Sequence, residues 1–296
     1  MIDAKLLDAL VAVVETGGFE RAAGKLNLTQ PAVSQRLKQL EEAVGAPLVV
    51  RGPPARPTAA GRRLVRHARQ VRLMEAALAA ELSPGAAPGP ASLPVAVNAD
   101  SLATWFLPAV AQLAASGRML LDLTVDLEDR TIDHLRADSV LACVSTREAP
   151  LQGCRASRLG VMDYVCVATP EFCRRHFPRG AFAESLAAAP AVVYGRADEL
   201  HHRFLARHFG LGGALLPCHV LPSSQAFVDA ALAGFAYTLV PRLQVAGHLA
   251  SGRLTDVTPG LYWDMPLFWH TFSLRSALTV ELTRAVTAAA RAALKG

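Results

Sequence analysis

Long apolar runs are missing from this sequence. No stretch of its 296 residues approaches the roughly 20 uninterrupted apolar positions that a membrane-spanning helix needs, so neither a spanning segment nor a membrane partner is expected. Ile2-Asp3-Ala4-Lys5 leads directly into a helical pattern, without the charged, apolar and small-residue regions of a secretory leader, and a cytoplasmic location is expected. Cysteine is sparse: Cys143, Cys154, Cys166, Cys173 and Cys218 are odd in number and show no paired metal-ligand spacing, which speaks for free thiols in a reducing compartment. There is no GxGxxG fingerprint, no phosphate loop and no GxSxG elbow, so neither a nucleotide cofactor nor acyl-transfer chemistry is expected, and no other cofactor is. His201, His202 and His208 lack acidic or cysteine partners at ligand spacing and read as a solvated helix face. Lysine is scarce too, with Lys5, Lys25, Lys38 and Lys295 the only examples, so arginine carries the positive charge. An arginine-rich composition alone would not identify a nucleic-acid partner.

The hydrophobic content is 52%, ample for buried cores, and the length suits about two domains. The net charge of +5 is unevenly placed, because residues 1–82 hold twelve Lys or Arg against eight Asp or Glu. That asymmetry favours phosphate over membrane.

The segment from Phe19 to Gly45 reads as two short helices around a tight break. Phe19, Ala22, Ala23 and Leu26 share one helical face, and Asn27-Leu28-Thr29 interrupts it. Thr29 suits an N-cap and Pro31 the first turn of a helix starting at about Gln30. Val33, Leu37, Leu40 and Val44 form its apolar stripe, so Gln30, Pro31, Ser34, Gln35 and Lys38 are the candidates for the groove of double-stranded DNA. Gln and Ser carry the donors and acceptors that read base edges, whereas Lys38 lies nearer a phosphate. The same spacing also suits an ordinary helical hairpin with a solvated outer face. A short apolar run, Pro47 to Val50, and a basic, proline-rich segment containing Arg51 and Arg56 then favour a wing reaching a neighbouring minor groove.

The string AAGKLNLTQPAVSQRLKQLEEAVGAPLVVR followed by PTAAG resembles the LysR-type transcriptional regulators, and the resemblance extends along the whole chain. GFERAAGKL, AVNADSLATWFLPA, PCHVLPSSQAFV and VTPGLYW resemble, more narrowly, the members that regulate arginine and lysine export, also described as inhibitors of chromosome initiation. Leu127 departs from that pattern, which implies an acidic residue there. The implied fold is an N-terminal all-α winged helix-turn-helix with a long dimerisation helix, followed by an α/β two-lobed effector domain of the periplasmic-binding type. A promoter, RNA polymerase and a small effector, lysine or arginine, are the implied partners of a homodimer or tetramer. A DNA-architectural or replication-inhibiting protein, or a regulator answering another effector, is the alternative.

The expected organisation is a winged helix-turn-helix over residues 1–58, a linker helix over 59–82, a hinge over 83–92 and an effector domain over 93–296. Within the last, lobe I covers about 93–161 and 269–296, and lobe II about 162–268. Leu64, Val71 and Leu78 form a seam on the linker helix suited to a second copy. Ser83 to Ser92 is dense in helix breakers. Beyond it short apolar runs, from Val95, Leu121, Val140, Tyr164, Ala191, His219 and Tyr237, alternate with helical patterns, predicting parallel sheets covered by helices.

In open α/β sheets ligands gather at the carboxyl ends of strands. Asn98, Asp100, Ser101 and Thr104 mark one such end, Ser145 and Thr146 a second, and Ser223 and Ser224 a third. Each hydroxyl and Asp100 also suits plain helix capping. Asp126 and Glu128, beside Asp129, supply acidity that suits an ammonium or guanidinium group, although solvated surface charge explains them as simply. Trp105, Trp263 and Trp269 read as core.

Overall fold

The computed structural model describes residues 3–82, 90–212, 215–273 and 276–296. Residues 83–89 of the expected hinge lie outside that set.

The N-terminal unit begins with α1 (Ala4–Thr16), α2 (Phe19–Leu26) and α3 (Gln30–Val44), separated by residues that stop helices for stated reasons. Gly17 and Gly45 end α1 and α3 in the left-handed region, at φ 69° and 75°, and Asn27 ends α2 at φ 53°. The Thr29 hydroxyl accepts from the Ala32 amide, and Pro31 occupies the first turn of α3. Leu10 and Val13 of α1, Ala22 and Ala23 of α2, and Val33, Leu37 and Leu40 of α3 share one core. Val44, expected in that stripe, is exposed: the chain turns at Gly45, and Leu48 is the residue buried there instead.

A two-stranded wing follows, β1 (Val49–Val50) antiparallel to β2 (Arg56–Pro57), and the Ala55 amide donates to the Gly17 carbonyl at 2.9 Å. Then comes α4 (Ala59–Leu82). Its Gly61 passes so close to the wing that a Cβ there would sit 2.0 Å from the Leu48 carbonyl oxygen. Val65 and Ala68 are buried against the first core and Leu64 packs partly on it, whereas Met74 and Leu78 stand exposed. The expected seam therefore divides, its first residue serving its own domain. Two arginines of α4 tie it to α1: Arg72 pairs with Asp8, and Arg69 with Glu15.

In the C-terminal region β3 (Ala91–Asn98) is central and parallel to β4 (Met119–Asp126) and β5 (Ala142–Ser145). Between β3 and β4 runs a helix in three parts, α5 (Ala99–Ser101), a π turn (Leu102–Phe106) and α6 (Leu107–Ala115). α7 (Thr131–Arg136) joins β4 to β5. It has contacts at both ends: His134 pairs with Asp126 at 2.8 Å, while just beyond it Asp138 binds Arg66 of α4 and the Ser139 carbonyl accepts from Arg69.

β6 (Cys154–Ala168) leaves this first lobe and continues into a second. The second lobe adds α8 (Pro170–His176), α9 (Ala183–Ala188), β7 (Ala191–Val193), α10 (Leu200–Phe209), β8 (Cys218–Val220), α11 (Ser224–Leu232), β9 (Thr238–Pro241), α12 (Arg242–Ala250) and β10 (Thr255–Asp256). β11 (Trp263–Phe272) pairs antiparallel with β6 and reaches β5, with a register shift at Leu267/Phe268, and α13 (Ala277–Ala293) packs on α6. The expectation of parallel sheets holds for β4-β3-β5 and β7-β8 only. β9 and β10 run antiparallel to the end of β6, because β6 enters the second lobe as a crossing strand rather than through a helical crossover. Its first half was not expected as strand, since polar residues such as Arg155 and Ser157 occupy positions left open on that edge.

Candidate reading helix and effector cleft

Gln30, Pro31, Gln35 and Lys38 are exposed on α3 and Ser34 is half-buried: Pro31, Gln35 and Lys38 face away from Val33, Leu37 and Leu40, Ser34 flanks them, and Gln30 is exposed where the helix opens. Lys38 lies 3.7 Å from Glu42, one turn along, an exposed pair that a phosphate would compete for. Arg56 is exposed on the wing, and Arg51 lies over the Phe19 ring at 5.4 Å, tied to the start of α2. Reading helix and wing thus pack on one core, which includes Leu48, Val49 and Ala55.

Between the lobes lies a cleft of about 410 Å³, its open mouth included. Asp100, Asp126 and Glu128 come to it from the first lobe and Asp198 from the second, with Leu127, Leu200, Phe227 and Leu239 as apolar lining. Asp100 sits where β3 feeds its helix, and both of its oxygens are engaged: Tyr164 donates to Oδ2 at 2.6 Å and Ser224 to Oδ1 at 2.6 Å. Those donors come from the crossing strand β6 and from the start of α11, so one carboxylate ties the two lobes. Ser224 Oγ also lies 3.1 Å from Gln244 Oε1; a hydroxyl has a single proton, and with it given to Asp100 a half-turn of the Gln244 amide would present its NH2 to Ser224 instead. Burial raises the Asp100 carboxyl above its ordinary range, the two hydroxyl donors oppose that, and the charge of Asp198 adds to it. Burial likewise pushes Glu128 up to about 7, with Asp198, Asp129 and Asp100 contributing as like charges. Arg203 of α10 is 4.0 Å from both Glu128 and Asp129. Asp126 accepts from the Leu127 amide and pairs with His134, each at 2.8 Å.

The cleft gathers only part of the expected set. Asn98, Asp100, Asp126, Glu128 and Ser224 line it. Ser101 is fully buried and turned away, and Thr104 lines a separate groove while its hydroxyl donates to the Asp100 carbonyl at 2.6 Å. The π turn has wider spacing than an α-helix, so Thr104 does not stack one turn above Asp100 on the cleft side. Ser145 is buried and accepts the Arg147 amide, and Thr146 bonds the Glu128 carbonyl through its own amide, so both hold the loop behind the cleft. Ser223 is the N-cap of α11, its hydroxyl accepting the Ala226 amide, whereas Ser224, one residue on, faces Asp100.

Tyr164, Tyr194, Asp198 and Gln244 were not anticipated. Tyr164 carried only a strand signal, and Asp198 lay in a loop with no periodicity. The histidines need a correction: His201 is buried against the Tyr237 ring at 5.0 Å, and that burial lowers its pKa to about 3, while His202 and His208 are half-exposed. Helix α10 turns its His201 side to the lobe core, which spacing alone did not reveal. Trp105 and Trp269 are core residues, and Trp263 is partly buried beneath Arg207. Among the described residues no cluster of three His, Cys, Asp or Glu side chains suits a metal ion, and no helix is long and apolar enough to cross a membrane.

The family described as bacterial regulatory helix-turn-helix protein, lysR family, matches residues 4–62, and the LysR substrate binding domain matches residues 91–291. The HTH-type transcriptional regulator ArgP of Pseudomonas aeruginosa is 46% identical over 293 residues, covering 98% of this chain and 96% of that protein. The crystal structure of ArgP from Mycobacterium tuberculosis superposes with a TM-score of 0.87 at 38% identity, over 100% of both chains. Full-length LysG from Corynebacterium glutamicum with bound effector Arg gives a TM-score of 0.79 at 34% identity, over 99% of this chain and 100% of that one.

Proposed function

Because this chain belongs to the lysR family of bacterial DNA-binding transcriptional regulators, we propose that it changes the transcription of a basic amino-acid exporter gene when L-arginine or L-lysine occupies the interlobe cleft. It acts in the cytoplasm as a homodimer or dimer of dimers, joined in part through the exposed Met74 and Leu78 of α4, and contacts RNA polymerase at its promoter. The observation that carries this reading is the cleft itself: carboxylates from both lobes around an aliphatic and aromatic lining match a long basic side chain with a second cation at its other end. The LysG structure with bound Arg, similar over nearly the whole chain, supports the same effector. The effector's carboxylate is assigned to the backbone amides where β3 meets α5. Footprinting on the candidate exporter promoter, with and without arginine, is the direct test. A footprint that ignores both basic amino acids, or uniform coating of A·T-rich DNA, would count against it.

On the DNA side, Gln35→Ala is expected to cost about 1–3 kcal/mol of discrimination between operator and random sequence, through loss of an amide that pairs with a base edge. Lys38→Ala should instead weaken all sequences alike and reduce the salt dependence by about one phosphate contact. Competition binding at two salt concentrations separates the two. Unchanged discrimination in Gln35→Ala removes that residue from the readout.

The cleft also predicts a pH dependence. Glu128 faces Asp100 on α5, Asp198 on the second-lobe loop, Asp129 beside it and Arg203 on α10. With its carboxyl at about 7, it is mostly protonated at pH 6 and mostly ionised at pH 8, and only the ionised form attracts a cation. Arginine affinity should therefore rise about tenfold from pH 6 to pH 8, with proton release on binding. In the ligand-free protein the sign is opposite: a carboxyl raised on folding adds stability fully present below its unfolded value of 4.5 and lost as pH climbs through about 7. Calorimetric titrations in buffers of different ionisation enthalpy measure the released proton. A flat affinity profile would remove Glu128 from contact with the cation.

A further inference from the structure

Each first-lobe carboxylate that lines the cleft has a side-chain partner. Asp126 has His134, Glu128 has Arg203, and Asp100 takes the Tyr164 and Ser224 hydroxyls. Asp198 is held differently. It lies in the loop between β7 and α10, where its Oδ2 accepts the Tyr194 amide at 2.8 Å and its Oδ1 the Leu200 amide at 3.0 Å. Those two bonds fix the carboxylate without neutralising it, and each oxygen keeps a further acceptor position. Arg203, the cation of this region, pairs with Glu128, Asp129 and Glu199 instead. Asp198 lines the cleft nonetheless, and its charge is felt across it at both Asp100 and Glu128.

A second observation points to the same kind of occupant. Asn98 is 3% exposed, lines the cleft from the first lobe, and its Oδ1 has no hydrogen-bond partner. A buried carbonyl oxygen left in this state costs free energy that a ligand N–H would recover. The unmet demand on both walls is therefore for donors, and at Asp198 for positive charge.

We propose that Asp198 is the second-lobe contact for the effector's side-chain cation, and the residue by which the cleft separates a basic amino acid from a neutral one of the same shape. This rests on the reading of the cleft as a basic amino-acid site. A guanidinium at Asp198 offers several N–H donors to a carboxylate whose orientation is already set by two amides, so little ordering remains to be done on binding. It also screens Asp198 from Glu128 and Asp100, turning repulsion between the lobes into a bridge across them.

The test is calorimetric titration of the full-length protein with L-arginine, L-lysine and L-citrulline, the last of which replaces the guanidinium by an uncharged group of nearly the same shape. The wild type should prefer arginine by at least about thirtyfold, and Asp198→Asn should shrink that ratio to about threefold by weakening arginine while leaving citrulline within about twofold. An asparagine that merely disturbs the loop would weaken both ligands together and keep the ratio, which overturns the assignment. A wild type silent towards arginine and lysine instead sinks the reading of the cleft. Should Asp198→Asn not fold, a crystal structure of the wild type with arginine decides: a guanidinium nitrogen within about 3.5 Å of the Asp198 carboxylate supports the proposal, and one paired with Glu128 or solvent alone overturns it.

Discussion

Asp100→Asn is expected to abolish stabilisation by arginine without lowering the melting temperature of the ligand-free protein. At about a hundredfold excess over its dissociation constant, arginine should add roughly 2.7 kcal/mol to the wild type, and this gain should vanish in the variant. The ligand-free variant should melt at the same temperature or higher, because the wild-type residue holds a carboxylate that burial resists ionising. Asparagine preserves the tie between the lobes: its oxygen accepts from one of the Tyr164 and Ser224 hydroxyls, and its NH2 donates to the other. Thermal melts across an arginine series measure both quantities. An intact arginine shift in the variant would show that Asp100 serves only as an interlobe strut.

The second large effect is mechanical. In Gly61→Ala the new methyl would lie 2.0 Å from the Leu48 carbonyl oxygen and 3.0 Å from its carbon, against backbone rather than a movable side chain. α4 must then separate from the wing, and a loss of about 3 kcal/mol or more is expected, at the upper end of overpacking costs. For a domain of this size that corresponds to a fall of roughly 12 °C or more in melting temperature. Gly24→Ala is the control. A Cβ there meets nothing within 4 Å and α2 is regular at that point, so the substitution should be neutral or stabilise by about 0.5–1 kcal/mol. Circular-dichroism melts with operator binding report the pair, and near-identical melts for the two variants would show that the close approach at Gly61 is relaxed in solution.

The helix-turn-helix was legible because its determinants are local. Thr29, Pro31 and the two terminating glycines each act within a turn of their own position, and Val33, Leu37 and Leu40 repeat at helical spacing. Val44 broke the pattern where the domain ends, since periodicity says which way a residue points but not how far a core extends. The cleft was half legible for the same reason. Asn98 and Asp100 announce themselves as a strand running into a helix start, whereas Tyr164 and Asp198 meet them only through the crossing of β6 and the return of the second lobe. Among the hydroxyls, Ser224 reaches the cleft, whereas Ser145, Thr146 and Ser223 bond nearby backbone, and hydroxyl-rich strand ends look alike whether they cap or bind. Leu127, where the resemblance implied an acidic side chain, lines the cleft as an apolar surface.

α7 touches both working ends of the molecule, through His134 to Asp126 at the cleft and through the residues after it to Arg66 and Arg69 on the helix that carries the DNA-reading unit. A segment held at both ends gives the two sites a common element, and any coupling between them is symmetric by linkage. Whatever factor arginine applies to operator affinity, operator DNA must apply to arginine affinity, and a tenfold effect in either direction is the same coupling of about 1.4 kcal/mol. With arginine as the proposed effector, the promoter would itself act on the cleft: a regulator seated on a strong operator and one diffusing free in the same cell would read different arginine concentrations.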